Sequence, residues 1–371
     1  MSRDLETRCG TLRNNEWIKN TASCYTAAQA MQWLACMNVD LGQNLATDLP
    51  GTSLETLSLL MKHHLLTFPF ENTSMHYSPQ HAMDITTEGL FQRLVVDRKG
   101  GSYCFGLNGL FLGMLRALGY RAFSGASRVN EGDPPGPPNH RPLLHQVIFV
   151  QPVVDSTQTY LVDVGFGAGG LARPIRLSNE AGNVIPGIGP REKHRLTRTA
   201  IPHSSVETSK DSGVLSEVRW NLEVLHEKNG VTDTTPWRML YTFSEEEFYP
   251  KDFQCSSFFV SMMPDLQGLF WSNVICVKNF VLEDDHVVAC GMSESITSRE
   301  ITYRMVMIGK EVKRSDDAGN TETIRSMNTE LERIEALREI FGVNLHDDDA
   351  LHITGRVAGF SYNHSTPAVS I

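Results

Sequence analysis

No stretch of this 371-residue chain approaches the ~18 consecutive apolar residues that a membrane-spanning helix needs. Its opening, MSRDLETRCGTLRNNEWIKN, lacks the apolar centre of a secretory signal. No membrane contact is expected, and the cytoplasm is the expected compartment. Cysteine is scarce: seven residues stand at 9, 24, 36, 104, 255, 276 and 290 with no CxxC pair. That argues against a disulfide framework and a zinc ribbon and for reduced thiols. No internal repeat of roughly 20–50 residues is visible, which argues against a solenoid. Basic charge is in deficit, with 33 Lys plus Arg against 43 Asp plus Glu and a net charge of -10; this speaks against a nucleic-acid partner. The deficit is uneven, because residues 91–200 carry 13 Lys/Arg against 7 Asp/Glu. A locally basic middle in an acidic chain suits a small anionic ligand.

What is present is a hydrophobic share of 41% over a length that predicts two or three domains with substantial cores. The first ~95 residues read as helical. In TSLETLSLLMKHHLL, Thr52 and Glu55 have capping-box spacing, and Leu57, Leu60, Met61, His64 and Leu65 form one apolar stripe. A second helix is expected from Thr87, with Leu90, Phe91, Leu94 and Val95 inward. The strongest helix follows Cys104: Leu107, Leu110, Phe111, Met114, Leu115 and Leu118 recur at helical spacing and Gly119 supplies a stop. From Tyr120 strand-like runs take over (YRAFSGASRV, LLHQVIFVQ, TYLVDVGFG), predicting an antiparallel meander or small barrel. Residues 178–215 read as an irregular connection; EVRWNLEVLHE, FFVSMM, NVICVKNFVL and ITYRMVMIG read as strands. A last helix runs from Thr329, boxed by Glu332, to Phe341, with Gly342 as its stop. The order of elements predicts an α+β protein.

Cys104 is the distinctive cysteine. RKGGSYC places it after two glycines and on the first turn of a strong helix, where free N–H groups and the positive dipole end favour a thiolate. A core cysteine that happens to start a helix fits the local pattern equally well. A thiolate nucleophile needs a base, and the base an orienting group. His145 shares a strand face with Val147 and Phe149, and Asp163 lies in the next strand, so antiparallel pairing can set imidazole beside carboxylate. Either residue alone suits a merely structural role. GFGAGG, Gly165 to Gly170, satisfies GxGxxG, but Pro174 and the LARPIRLS that follows give no crossover helix, so a dinucleotide site is rejected. These glycines, Gly165 and Gly167 among them, are expected to form a turn that lets another backbone, or a ligand, come close. Metal binding is not expected, since His63–His64 is adjacent and the HDDD at 346–349 reads as a solvated turn.

The chain resembles the arylamine N-acetyltransferases, in a fungal-like form, through FPFEN (Phe68–Asn72), GGSYCFGLN (Gly100–Asn108), His145 and VDVGFG (Val162–Gly167). The resemblance runs from about Tyr25 to the FGVNL that ends at Leu345. It implies an N-terminal helical bundle (1–98), a nucleophile helix with a central antiparallel β-barrel (99–212), and a C-terminal α/β lid with a tail (213–371), holding a papain-like cysteine triad. Cys104 matches the acylated nucleophile, His145 its base and Asp163 the orienting carboxylate. Backbone N–H groups near Tyr103 and Cys104 match the oxyanion site. Glu71 and Arg98 resemble a structural carboxylate–arginine pair, although the inserted Lys99 and Ser102 leave the partner of Glu71 open, and Asn108 completes the motif. Phe68, Phe105, Phe166 and Phe258 suit an aromatic slot or, equally, the core. Arg141 and Pro142 stand where the cofactor cleft is expected; Arg141 is a candidate for a CoA phosphate or an acidic acyl group such as malonyl, and a solvated loop arginine is the alternative. The implied reaction takes an acetyl, propionyl or malonyl group from its CoA thioester to an aromatic amine. It needs no tightly bound cofactor, proceeds in a monomer, and serves the detoxification of such amines. Two other readings of the same residues remain: a papain- or transglutaminase-like thiol hydrolase, and a catalytically silent CoA- or amine-binding protein.

Overall fold

The computed structural model describes residues 7–39, 50–201, 204–205, 218–228, 236–264, 268–281 and 301–360. Cys290, positions 206–215 of the expected connection and the tail after 360 lie outside them. Thr26 and Gln29 bond reciprocally to open α1 (Ala27–Cys36). Helix α2 (Leu54–Thr67) is capped by Ser53, which accepts from the Thr56 N–H, and not by Thr52: the helix begins one residue later than the Thr52–Glu55 spacing predicts. Its Leu57, Leu60, Met61 and His64 are buried. A two-residue strand, β1 (Phe70–Glu71), and α3 (Ser74–Tyr77) follow. Helix α4 (Thr87–Leu90) widens into a π-helical turn at Phe91–Val96.

Helix α5 (Cys104–Ala117) runs through the middle of the core, with eleven of its residues buried. A helix apolar on nearly every side belongs in an interior. One side meets the helices, with Phe111 against Trp33 at 5.8 Å. The other meets an antiparallel sheet in which Asn108 bonds to the Gln146 carbonyl.

That sheet has eight strands: β2 (Arg121–Asn130), β3 (His140–Gln151), β4 (Tyr160–Val162), β5 (Ile175–Arg176), β6 (Val184–Pro186), β7 (Glu192–Ala200), β8 (Val218–His226) and β9 (Arg238–Phe243). Their order is β5-β4-β3-β2-β9-β8-β7-β6. The two edges, β5 and β6, are consecutive in the chain and joined by residues 177–183 alone, so the sheet curls almost into a barrel. The expected irregular connection is thereby corrected, since β6 and β7 lie within it. Strands β8 and β9, beyond the expected boundary at 212, pair with β7 and β2 in this same sheet.

FFVSMM is helical: Tyr249, Pro250 and Asp252 supply helix-start signals, and α6 (Pro250–Met262) overrides the strand-like pattern. A short α7 (Leu269–Ser272) precedes a second sheet of β1, β10 (Ile275–Phe280), β11 (Tyr303–Ile308), β12 (Glu311–Ser315) and β13 (Thr321–Ser326). Helix α8 (Glu330–Phe341), boxed by Thr329 and Glu332 and ended by Gly342 at φ 71°, packs Ile334, Leu337 and Phe341 on Cys276, Met307 and Val312. The last described residues close this unit: the buried Arg333 donates to the Ala358 carbonyl at 3.0 Å. Among the described residues, no helix is long and apolar enough to cross a membrane.

Candidate active site

Cys104 owes its position to a close backbone contact. Ser102 bridges Phe70 in parallel and accepts from the Glu71 N–H at 3.0 Å. A Cβ on Gly101 would lie 1.6 Å from the Pro69 carbonyl oxygen, so only glycine lets the two segments meet. Tyr103 is extended at φ -87°, ψ -170°, and the helix starts at the next residue. Cys104 thus stands on the first turn of α5, where helical N–H groups have no carbonyl four residues back. The thiol is buried, 5% exposed, with Sγ 3.7 Å from the Leu144 carbonyl.

The imidazole arrives from β3 and the carboxylate from just past β4. The register pairs Ile148 with Val162, which makes Asp163 a diagonal, same-face neighbour of His145. His145 Nε2 lies 2.7 Å from Asp163 Oδ2, and His145 and Cys104 line the same cavity, close enough to interact electrostatically. Burial disfavours the imidazolium, but Asp163, aided by Cys104, outweighs it and raises His145 to about 10. Burial likewise pushes the Asp163 carboxyl up, and the His145 charge more than reverses this, holding it below its ordinary range. The second oxygen, Oδ1, accepts from Asn108 Nδ2 and from the Gly165 N–H, each at 2.9 Å. Asn108 Oδ1 accepts in turn from the Val164 N–H at 2.9 Å. A Cβ on Gly165 would fall 2.7 Å from the Cys104 Cα.

Sulfur and imidazole open into a cavity of about 320 Å³ between the barrel, α6, α7 and the second sheet. Phe166, Gly165, Gly167 and Arg141 line it, as do Phe70, Phe259, Phe270, Trp271 and Arg238. Other expected positions fall elsewhere. Phe68 packs on His64 at 4.7 Å inside the helical core, and the cavity takes Phe70 instead, two residues on and on β1. Phe105 turns away toward Phe253, and Tyr103 is buried against Ser257. Phe258 points to solvent, and its neighbour Phe259, also exposed, borders the cavity. Pro142 is exposed and outside the cavity lining. A wider cleft of about 900 Å³, beside Arg8 and Trp220, contains none of these groups.

The expected Glu71–Arg98 pair is corrected. Glu71, fully buried, is held by Arg93 at 2.5 Å, and Arg93 also donates to Ser74 Oγ at 2.6 Å. The π-helical turn aims Arg93 at the carboxylate, whereas Arg98, exposed and at φ 51°, reaches Cys36. Tyr241 is a further residue that local sequence pattern does not reveal. It comes from β9, packs on His145 at 5.2 Å and on Phe166 at 5.4 Å, and sets its hydroxyl beside Asp163, short of hydrogen-bond geometry.

A family model described as N-acetyltransferase matches residues 53–350. N-malonyltransferase FDB2 of Gibberella moniliformis is 27% identical over 348 residues, covering 88% of this chain and 91% of the relative. Arylamine N-acetyltransferase of Mycolicibacterium smegmatis is 30% identical, covering 83% and 92%. The structure of Mycobacterium marinum arylamine N-acetyltransferase in complex with CoA superposes with a TM-score of 0.60 at 25% identity, covering 85% of this chain and 92% of that one. The chain belongs to the arylamine N-acetyltransferase family.

Proposed function

We propose that this acyltransferase moves an acyl group from CoA to an aromatic amine by a ping-pong route through a thioester on Cys104. The observation that carries the reading is the convergence of Cys104, His145 and Asp163 at the head of a buried helix, with Cys104 and His145 opening into a cavity bordered by aromatic side chains. In the first half-reaction the Cys104 thiolate attacks the thioester carbonyl carbon. Backbone N–H groups at the start of α5 face the developing oxyanion. A carbon–sulfur bond forms to Cys104, the bond to the CoA sulfur breaks, and the departing CoA thiolate takes the proton of the His145 imidazolium. In the second, the amine nitrogen attacks the acyl-Cys104 carbonyl and passes a proton to the now neutral His145. The amide bond forms, the bond to Cys104 breaks, and the thiolate–imidazolium pair is restored.

Phe166, Phe259, Phe270 and Trp271 supply the flat apolar walls that an aromatic ring prefers. The N-malonyltransferase among the relatives supports malonyl, beside acetyl and propionyl, as a donor group. Initial rates measured over a grid of acyl-CoA and aniline concentrations test the scheme. Parallel double-reciprocal lines are expected; lines that intersect would mean a ternary complex and no acyl-enzyme.

A further inference from the structure

We propose that Arg238 selects the acyl group: its guanidinium receives the free carboxylate of a dicarboxylic acyl-CoA, malonyl-CoA being the shortest, while Cys104 is loaded. This inference rests on the reading of Cys104 as the acylated nucleophile.

The placement of Arg238 depends on an irregularity in the sheet. It lies three positions before Tyr241, and in a regular strand residues so spaced point to opposite faces. Here Tyr241 pairs with Leu222 and Arg238 with Val224, with a register shift between Leu222 and Glu223. Leu222 and Val224 share a face and are buried, so the bulge turns Arg238 to the inner face that Tyr241 presents to His145. Arg238 then stands about one strand repeat, ~7 Å, beyond Tyr241 along that face. The Gly165–Gly169 turn bridges the gap: Gly165 abuts Cys104, and a Cβ on Gly169 would lie 3.7 Å from Arg238 Nη2.

Charge points the same way. Arg141 faces the cavity but is paired with Glu131 at 3.4 Å. Arg238 also lines the cavity, and among the described residues its guanidinium makes no ion pair or hydrogen bond. The one carboxylate that the described residues give the cavity lining, Glu131, is taken by Arg141, so Arg238 adds a positive charge with no ion-pair partner beside Phe70, Phe166 and Phe270. A guanidinium in such surroundings gains most from a carboxylate taken in two parallel N–H···O bonds. An acetyl group leaves it unmet, and a malonyl group carries the matching charge two bonds from the thioester carbonyl.

A CoA phosphate or a carboxylate on the amine could claim the same charge, and half-reaction kinetics separate the three. The rate of Cys104 acylation is read by intact mass, without amine, for malonyl-CoA and acetyl-CoA in the wild type, Arg238→Met and Arg238→Lys. The expected result is a ~10–100-fold loss of malonyl loading in Arg238→Met, a smaller loss in Arg238→Lys, and acetyl loading within about 3-fold of wild type, which also reports an intact fold. An equal loss for both donors would assign Arg238 to the CoA moiety or to the fold and overturn the proposal. Unchanged loading, with a loss confined to transfer onto aminobenzoate against aniline, would assign it to the acceptor and overturn it as well. Wild type that loads acetyl but not malonyl refutes the selector alone, whereas wild type that loads from neither refutes the thioester reading beneath it.

Discussion

At the residue scale, the chemistry of Cys104 depends on what His145 is allowed to be. An unperturbed imidazole loses its proton near pH 6.5, but beside Asp163 this one is raised to about 10. Its folded value lies above the unfolded one, so its contribution to stability is present in full below about 6.5 and is lost as pH rises through about 10. Acylation of Cys104 should therefore show no inflection near 6.5 and should decline only as pH approaches 10. Stopped-flow measurement of CoA release across that range checks this, and a profile breaking at 6.5 would contradict it. Asp163→Asn removes the group that outweighs burial and should slow loading at pH 7 by about 10³–10⁴-fold. These three residues were legible because each sits in a local pattern: glycines before a helix start, or alternation on a strand. Arg93, Tyr241 and Arg238 were not. A π-helical turn aims the first, and the other two reach the site through β9, whose pairing and bulge no local pattern announces.

Among elements, the meeting of β1 with the residues before α5 fixes where the thiol stands. Glu71 pairs its backbone with Ser102 and its buried carboxylate with Arg93. Removing the arginine leaves a buried charge unpaired. Arg93→Met should cost about 3–5 kcal/mol in urea unfolding, and Arg98→Met about 0.5 kcal/mol or less. Equal costs would mean that the pair has been misassigned. Gly165→Ala tests the other contact, since its Cβ would strike the Cys104 backbone and Asn108 Nδ2. A loss of about 1–3 kcal/mol, together with slower loading, is expected from a thermal melt and the same acylation assay. The helices after Cys104 and Thr329 were readable from period and caps, because both bury one continuous apolar set. FFVSMM was not, since six residues of apolar run carry no period and the deciding signals lie upstream at Tyr249 and Asp252.

Across the whole molecule, one buried ion pair ties the barrel to the second sheet. Arg304 of β11 holds both oxygens of Glu192 on β7, at 2.7 and 2.9 Å. Burial raises the Glu192 carboxyl, Arg304 outweighs it, and the net result lies below the ordinary carboxylate range. The pair's contribution is thus present above about pH 4.3 and fades only as pH falls through the lower folded value. Arg304→Met should lower stability at pH 7 by about 3–5 kcal/mol, read by urea unfolding; a change below 1 kcal/mol would mean that the link is dispensable. That the chain mixes helices with an antiparallel, barrel-like sheet was readable from the order of its elements. The closure of the barrel was not, because it depends on β6 to β9, part of which lies in a stretch without clear period. The central claim, that the acyl group passes through Cys104, is tested most directly by intact-protein mass spectrometry after mixing with acyl-CoA in the absence of amine, followed by peptide mapping. A single acyl adduct on Cys104, discharged to free thiol when an aromatic amine is added, is the predicted result. An adduct on any other residue, or amide formed at the wild-type rate by Cys104→Ala, would contradict it.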